Sequence, residues 1–236
     1  MVMHLDGVDF GAAIATLTGD EMRTPPLAAV SAKKQSVSEY EVEQHRKAAW
    51  LWSQRRPIVG SIAERYLRSR GITCALPKTL AFLPPGKREH HPATVTAFAL
   101  VDEPEPGILG EPRNVQAVHL TLLKPDGSGK ADIAKPKLVV GSPAALPIVL
   151  APPNDLLALA IAEGVEDALS IHQATGIGAW AAGSASFMPK LAEIVPAYIE
   201  TVITELHPDQ GRPYAQQMID KLRARGIEVI PREAIA

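Results

Sequence analysis

The sequence predicts an α/β protein: a small, basic α+β subdomain followed by a C-terminal parallel sheet of about four strands flanked by helices. Three observations predict it. Beyond residue 153, short apolar runs alternate with helical stretches, the pattern that lays parallel strands beneath crossover helices. Before that point, strand-length runs are separated by turn residues without intervening helices. Charge divides along nearly the same line. Residues 1–32 hold one basic and four acidic side chains, residues 33–140 hold 17 and 11, and residues 141–236 hold 6 and 11. A basic middle beside an acidic C-terminal part suits a protein that grips an anion with one part and a cation with the other, or one whose solvated faces simply segregate.

The bulk composition excludes several classes. At 236 residues, with 46% hydrophobic and 21% charged content, the chain can build a full core and is not disordered throughout. Its longest apolar runs are strand-length and broken by Pro or Gly, so no membrane helix is expected. The N-terminus "MVMHLDGVDF" lacks a basic-then-apolar secretory pattern, and a cytoplasmic protein is the expectation. The single cysteine, Cys74, excludes an intramolecular disulfide and a cysteine-based zinc site, and reads as a packed small residue.

Three divisions follow: residues 1–40, 41–152 and 153–236. In the first, "DFGAAIATLTG" places Phe10, Ile14 and Leu17 on one helical face, and "LAAVSAKKQSVSEYE" reads as a flexible tether. In the second, a helix from about Glu41 carries Trp50 and Trp52 and is broken by "RRPIVGS". Ser61 caps a further helix that Gly71 ends. The β-rich block follows as "ATVTAFAL", "VQAVHLTLL", a "KPDGSGK" turn, "KLVVG" and "PIVLA". "APPND" marks the boundary. The third division alternates strand "LALAIAE", helix "VEDALSIHQATG", strand "GAWAA", helix "SFMPKLAEIV", strand "TVITEL", helix "GRPYAQQMIDKLRARG" and strand "IEVI". Trp50, Trp52 and Trp180 lie among apolar neighbours and read as core.

In open parallel sheets, functional groups collect past the carboxyl ends of the strands, where the loops converge. Glu163 sits at one such end, Gly164 frees the turn that follows, and Asp167 falls in the first turn of the next helix. The third strand runs into "HPDQG", which supplies His207, Asp209 and Gly211, with Glu205 nearby on either the same face or the opposite one. Carboxylates gathered this closely repel one another unless a cation sits among them, and Mg²⁺ favours a few carboxylates plus water. Acids at a helix start also stabilise its dipole whatever the function. The joint placement of both motifs at strand ends favours a metal site.

These residues carry a resemblance. "IAEGVEDALS", "GAWAAGSASF" and "VITELHPDQGRPYAQQMIDKLRARGIEV" resemble the Toprim domain shared by bacterial-type primases and topoisomerases, over about residues 155–232. The segments "WLWSQRRPIVGSIAERYLRSRGI", "PATVTAFAL" and "VHLTLLKPDGSGKA" are similar to the region that precedes Toprim in the primase-like proteins of phages, plasmids and mobile elements. The resemblance implies a Rossmann-like sheet and metal-dependent nucleotidyl transfer. It also implies Glu163 and Asp167 as catalytic acids, Glu163, His207 and Asp209 as ligands of Mg²⁺ or Mn²⁺, and Gly164 and Gly211 as turn residues. The second motif departs from the family, which usually shows Asp-x-Asp followed by Gly. Here His207 takes the first acid's place and Asp209 the second's. A register counted from the glycine in the commoner way puts Leu206 and Pro208 there instead. Histidine suits Mn²⁺ or Zn²⁺ better than Mg²⁺. The stretch "HLDGVDFGAAIATLTGDE" is similar to the piece that follows a zinc ribbon in such chains; one cysteine cannot build that ribbon, so the expectation is truncation or a separate partner.

The implied partners are a single-stranded DNA template and nucleotides, a helicase or a separate zinc-ribbon protein, and no membrane. The candidates for gripping nucleic acid are Lys124, Lys130, Lys135 and Lys137 in the β-rich block and Arg65, Arg68 and Arg70 on the helix before it. "GSGK" lacks the spacing of a phosphate loop, and Ala131 follows its lysine, so a hairpin turn accounts for it. His90 and His91 form a loop pair that either ligates metal or is simply exposed. Three functions compete: primer synthesis in the replication of a phage, plasmid or mobile element, a catalytically impaired nucleic-acid-binding accessory, and a Toprim nuclease.

Overall fold

Fifteen residues free of Pro and Gly, with Glu39 and Glu41 in the first turn, make the helix α1 (Glu39–Ser53). The computed structural model describes residues 39–233. The helix expected around Phe10, Ile14 and Leu17 and most of the tether lie outside the described residues. α1 turns Ala48 and Trp52 inward, and both are buried. Trp50 is two positions from each, so it lies about 200° round the helix and points outward, 60% exposed. The expectation that it is core fails; Trp52 and Trp180 are buried as expected.

Helix α2 (Ile62–Ser69) starts as anticipated: the Ser61 hydroxyl accepts the Glu64 N–H at 3.2 Å, and the Glu64 carboxylate accepts the Gly60 N–H at 2.7 Å. Four antiparallel strands follow, β1 (Leu80–Leu83), β2 (Ala93–Ala97), β3 (Ala117–Leu122) and β4 (Lys137–Gly141), in the order β1-β2-β3-β4. Strand β1 has no counterpart in the sequence reading, because four apolar residues give no period to recognise. The "KPDGSGK" stretch is a turn: Lys124 donates its N–H to the Gly129 carbonyl, and Gly127 donates to that of Lys124.

The second sheet joins β5 (Ile148–Ala151), β6 (Ala158–Ala162), β7 (Gly178–Ala181), β8 (Thr201–Leu206) and β9 (Glu228–Glu233) in the order β5-β7-β6-β8-β9. The strands β7, β6, β8 and β9 run parallel, as expected; β5 pairs antiparallel with β7. Between them run α3 (Val165–Thr175), a short α4 (Met188–Leu191) after one 3-10 turn, and α5 (Arg212–Ala224). One face of this sheet shares a core with α2 and α3, through Tyr66, Leu67, Ala160, Ala162, Ala168 and Leu169. The other face buries Leu159, Ile161 and Val202 against Leu191, Met218 and Leu222. The four-stranded sheet packs α1 on its own far face, through Trp52, Val95 and Leu120. No helix among the described residues is long and apolar enough to cross a membrane.

Candidate functional site

Parallel strands end on the same side, so the loops after β6 and β8 meet there. Glu163 and Asp209 come together at this end. Glu163 Oε2 and Asp209 Oδ1 each lie 3.0 Å from the point that a Cβ on Gly211 would occupy, which puts the two oxygens within twice that distance of each other. Ser184, Ser186 and Tyr214 line the open cleft around them. Asp209 Oδ1 accepts the Gly211 N–H at 2.7 Å, which fixes the turn leading into α5. Gly211 therefore matters for space: any side chain there would meet Ala185, Asp209 and Glu163 at once.

A second group gathers on the α3 side of the same strand ends. Ligand atoms of Asp167, Glu205 and His207 all lie within 4.8 Å of one another. Glu205 lies in β8 and His207 two residues on, just past its end, and their ligand atoms converge, so the question of which side Glu205 takes is answered: it sits with His207. Burial raises the Glu205 carboxyl above its ordinary range, and the charge of Asp167 adds to the effect. His207 Nε2 is buried, makes no hydrogen bond, and stands 3.8 Å from Asp167 Oδ2. Two crowded carboxylates and one unpartnered imidazole nitrogen form a donor set that fits a divalent cation, with a nitrogen that suits Mn²⁺ better than Mg²⁺. His207 thus turns to Asp167 and Glu205, while Glu163 and Asp209 face each other. Gly164 keeps an ordinary extended backbone (φ −100°); a Cβ on it would stand 2.5 Å from Asp167 Oδ2, so its role is to leave that carboxylate room.

The basic candidates divide. Lys130 Nζ lies 3.2 Å from Glu166 Oε1, and the same oxygen accepts the Tyr66 hydroxyl at 2.5 Å. Glu166 is almost fully buried, and desolvation alone would raise its carboxyl. Lys137, Lys130 and the Tyr66 hydrogen bond outweigh that and hold it down at about 2. Lys124 pairs with Asp132 at 3.0 Å, and Lys135 is exposed. Arg65 donates to the Asp126 carbonyl, pinning the β3–β4 turn to α2. Arg68 donates to the carbonyls of Ile72 and Cys74 and pairs with Glu64, so its guanidinium closes the end of α2. Arg70 is exposed. His90 and His91 belong to no converging ligand group among the described residues.

The sequence reading passed over Glu166 as a ligand, and over Tyr66 and His119 altogether. A band of polar residues crosses one face of the four-stranded sheet. Thr94 is paired with Thr121 and Thr96 with His119, and all four are buried. Burial lowers His119 to about 4, and the charges of Lys137 and Lys130 push the same way against that of Glu166. The alternation in "VHLTL" carried the signal, since His119 and Thr121 fall on one face and Val118, Leu120 and Leu122 on the other.

Comparison with known proteins matches two successive parts of the chain to domain families. Residues 158–236 match the Toprim domain, and the C-terminal part of the chain is a Toprim domain. Residues 42–150 match a domain of unknown function, DUF7146. No curated protein matches the chain. Among solved structures, the crystal structure of the Aquifex aeolicus primase (zinc binding and RNA polymerase domains) is similar at 15% identity with a TM-score of 0.48. The alignment covers 99% of this chain and 63% of that one. A Toprim domain supports a nucleic-acid-related function and divalent-metal binding; the acids past β6 and β8 are where such an ion fits.

Proposed function

We propose that this Toprim-domain chain is a primase-like enzyme. In this reading it carries out metal-dependent nucleotidyl transfer on a single-stranded DNA template in the replication of a phage, plasmid or mobile element. One observation carries the reading: the first turn of α3 joins two opposite charge systems through neighbouring residues. Asp167 faces the acid and imidazole group of the parallel sheet, and Glu166 faces the lysines of the antiparallel sheet. Phosphoryl transfer depends on charge stabilisation and positioning more than on covalent chemistry by the protein. Carboxylates on one side of this helix turn and lysines on the other meet that need.

Asp167, Glu205 and His207, with Glu163 and Asp209 beside them, would hold Mn²⁺ or Mg²⁺. The ion supplies charge neutralisation at the nucleotide phosphates. Lys130 and Lys137 bind those phosphates from the other side of the helix turn, and Glu166 with Tyr66 fixes Lys130 in place. Glu163, on the open cleft, accepts the proton of the attacking hydroxyl. Lys135 and Arg70, both exposed, extend the grip along the template.

The test is product formation from a single-stranded template, nucleotides and Mn²⁺ or Mg²⁺, resolved on a gel. Extended products that fall about a hundredfold on Glu163→Gln support synthesis. Shortened template with no extension would replace it by the nuclease reading. Metal and strand binding with neither product would leave the accessory reading, which the histidine at the place of a family acid favours.

A further inference from the structure

On the far side of the four-stranded sheet from the acids, the C-terminal end of α1 and the loop after β1 enclose a cleft of about 850 Å³. Its wall carries Trp50, the exposed indole of α1. Arg55, Arg56 and Lys87 line the same cleft, with His90 and His91 at its loop and Glu89 as its one acid. Arg55 is already held. It lies 4.3 Å over the Trp52 ring, donates to the Trp52 carbonyl and pairs with Glu111 at 3.0 Å. Arg56 and Lys87 are exposed. The cations continue beyond this cleft, because a second one of about 430 Å³ shares Arg55 and Arg56 and adds Lys78.

We propose that this cleft is a second nucleic-acid site, which holds single-stranded DNA by stacking a base on Trp50 and binding its phosphates with Arg56 and Lys87. Two properties point to a strand. An indole left in water on a helix otherwise packed through its neighbours offers a stacking platform for any base, and the cations around it form a track for a polyanion. Charge complementarity selects the occupant: four cations over the two clefts face the two carboxylates Glu89 and Glu111, one of them already engaged by Arg55. α1 and the sheet lie between this cleft and α3, so a strand held here is anchored outside the acid cleft. The inference rests on the nucleic-acid reading proposed above, but not on catalysis.

Fluorescence anisotropy of the full chain with labelled oligothymidylate, about twenty nucleotides long, tests it. Trp50→Ala is expected to weaken binding about tenfold. Arg56→Ala with Lys87→Ala is expected to lower the slope of log affinity against log salt by roughly 1.4. Trp52 and Trp180 are buried, so quenching of tryptophan emission by the oligonucleotide reports Trp50. Trp50→Phe should abolish the quench yet keep most of the affinity. Wild-type affinity in both groove variants overturns the inference, as does equal competition by polyglutamate, which has charge but no bases. If those variants bind normally while Lys130→Ala with Lys137→Ala does not, the second site is wrong and the proposed function stands. If Glu163→Gln loses product but binds and quenches like wild type, the two sites are separate as proposed.

Discussion

In the parallel sheet the polar residues gather at one end, past Ala162 and Leu206; in the antiparallel sheet they run as a band across one face, buried at Thr94, Thr96, His119 and Thr121 and reaching solvent at Lys137. The difference follows from chain direction. Parallel strands share an end, so their loops converge and short acidic motifs become neighbours. Antiparallel strands share no end, and their polar residues can meet only on a face, which another layer must cover. Here α2 and α3 lie over it, and their own Tyr66 and Glu166 pair with each other at 2.5 Å. A site at strand ends is open to metal and solvent. A polar band under a helix is closed, and every member needs a partner.

The largest effect expected is a pH dependence contributed by the buried band. His119 titrates at about 4 in the folded protein against an ordinary 6.5, because burial and the two lysines disfavour its charge. Between those values the unfolded chain binds the extra proton. Stability is therefore fully present above 6.5 and is lost as pH falls toward 4, by about 3 kcal/mol in all. Urea unfolding across that range, compared with His119→Gln, isolates the contribution. A variant with the same pH slope as wild type would show that the band is not closed.

Next comes the link between the two sheets. Tyr66→Phe removes one hydrogen bond to the buried Glu166 carboxylate, and is expected to cost about 2 kcal/mol in urea unfolding. Lys130→Met removes another partner of the same oxygen. A double-mutant cycle of the two should therefore show coupling well above the additive sum. Additive effects would separate the sheets into independent halves.

On the open side, Asp167→Asn is expected to weaken Mn²⁺ binding about tenfold, read by electron paramagnetic resonance. Gly164→Ala should do the same by displacing the Asp167 carboxylate, since its new methyl falls 2.5 Å from Oδ2. Both variants should retain oligonucleotide binding. Loss of binding along with the metal would mean that the strand is held through the ion and not by the basic side chains.

The same contrast explains what could be read from the sequence. Glu163, Asp167, His207 and Asp209 were legible because strand ends follow from the apolar runs, and parallel topology brings them to one side. Glu205 was ambiguous only in its face, which the alternation along Thr201–Leu206 settles once β8 is placed. His119 was overlooked although the alternation in "VHLTL" marks its face, whereas Glu166 and Tyr66 were illegible for a different reason. Tyr66 and Glu166 are 100 residues apart, and no local pattern announces that two helices will close over a strand's polar face. Trp50 misled because apolar neighbours in sequence are not neighbours around a helix.

Lys124 and Lys130 give the smallest and most pointed test. They flank one turn, carry the same charge, and each faces one carboxylate, Asp132 at 3.0 Å and Glu166 at 3.2 Å. The Lys124 pair is largely solvated, with Asp132 83% exposed, so water and salt screen it and Lys124→Ala should shift stability by less than about 0.5 kcal/mol. Glu166 is 11% exposed, and removing Lys130 leaves a buried charge short of a partner. The shorter contact is therefore expected to matter less than the longer one. Urea midpoints that rank the two variants the other way would show that distance, and not the layer covering the sheet, decides the energetics here.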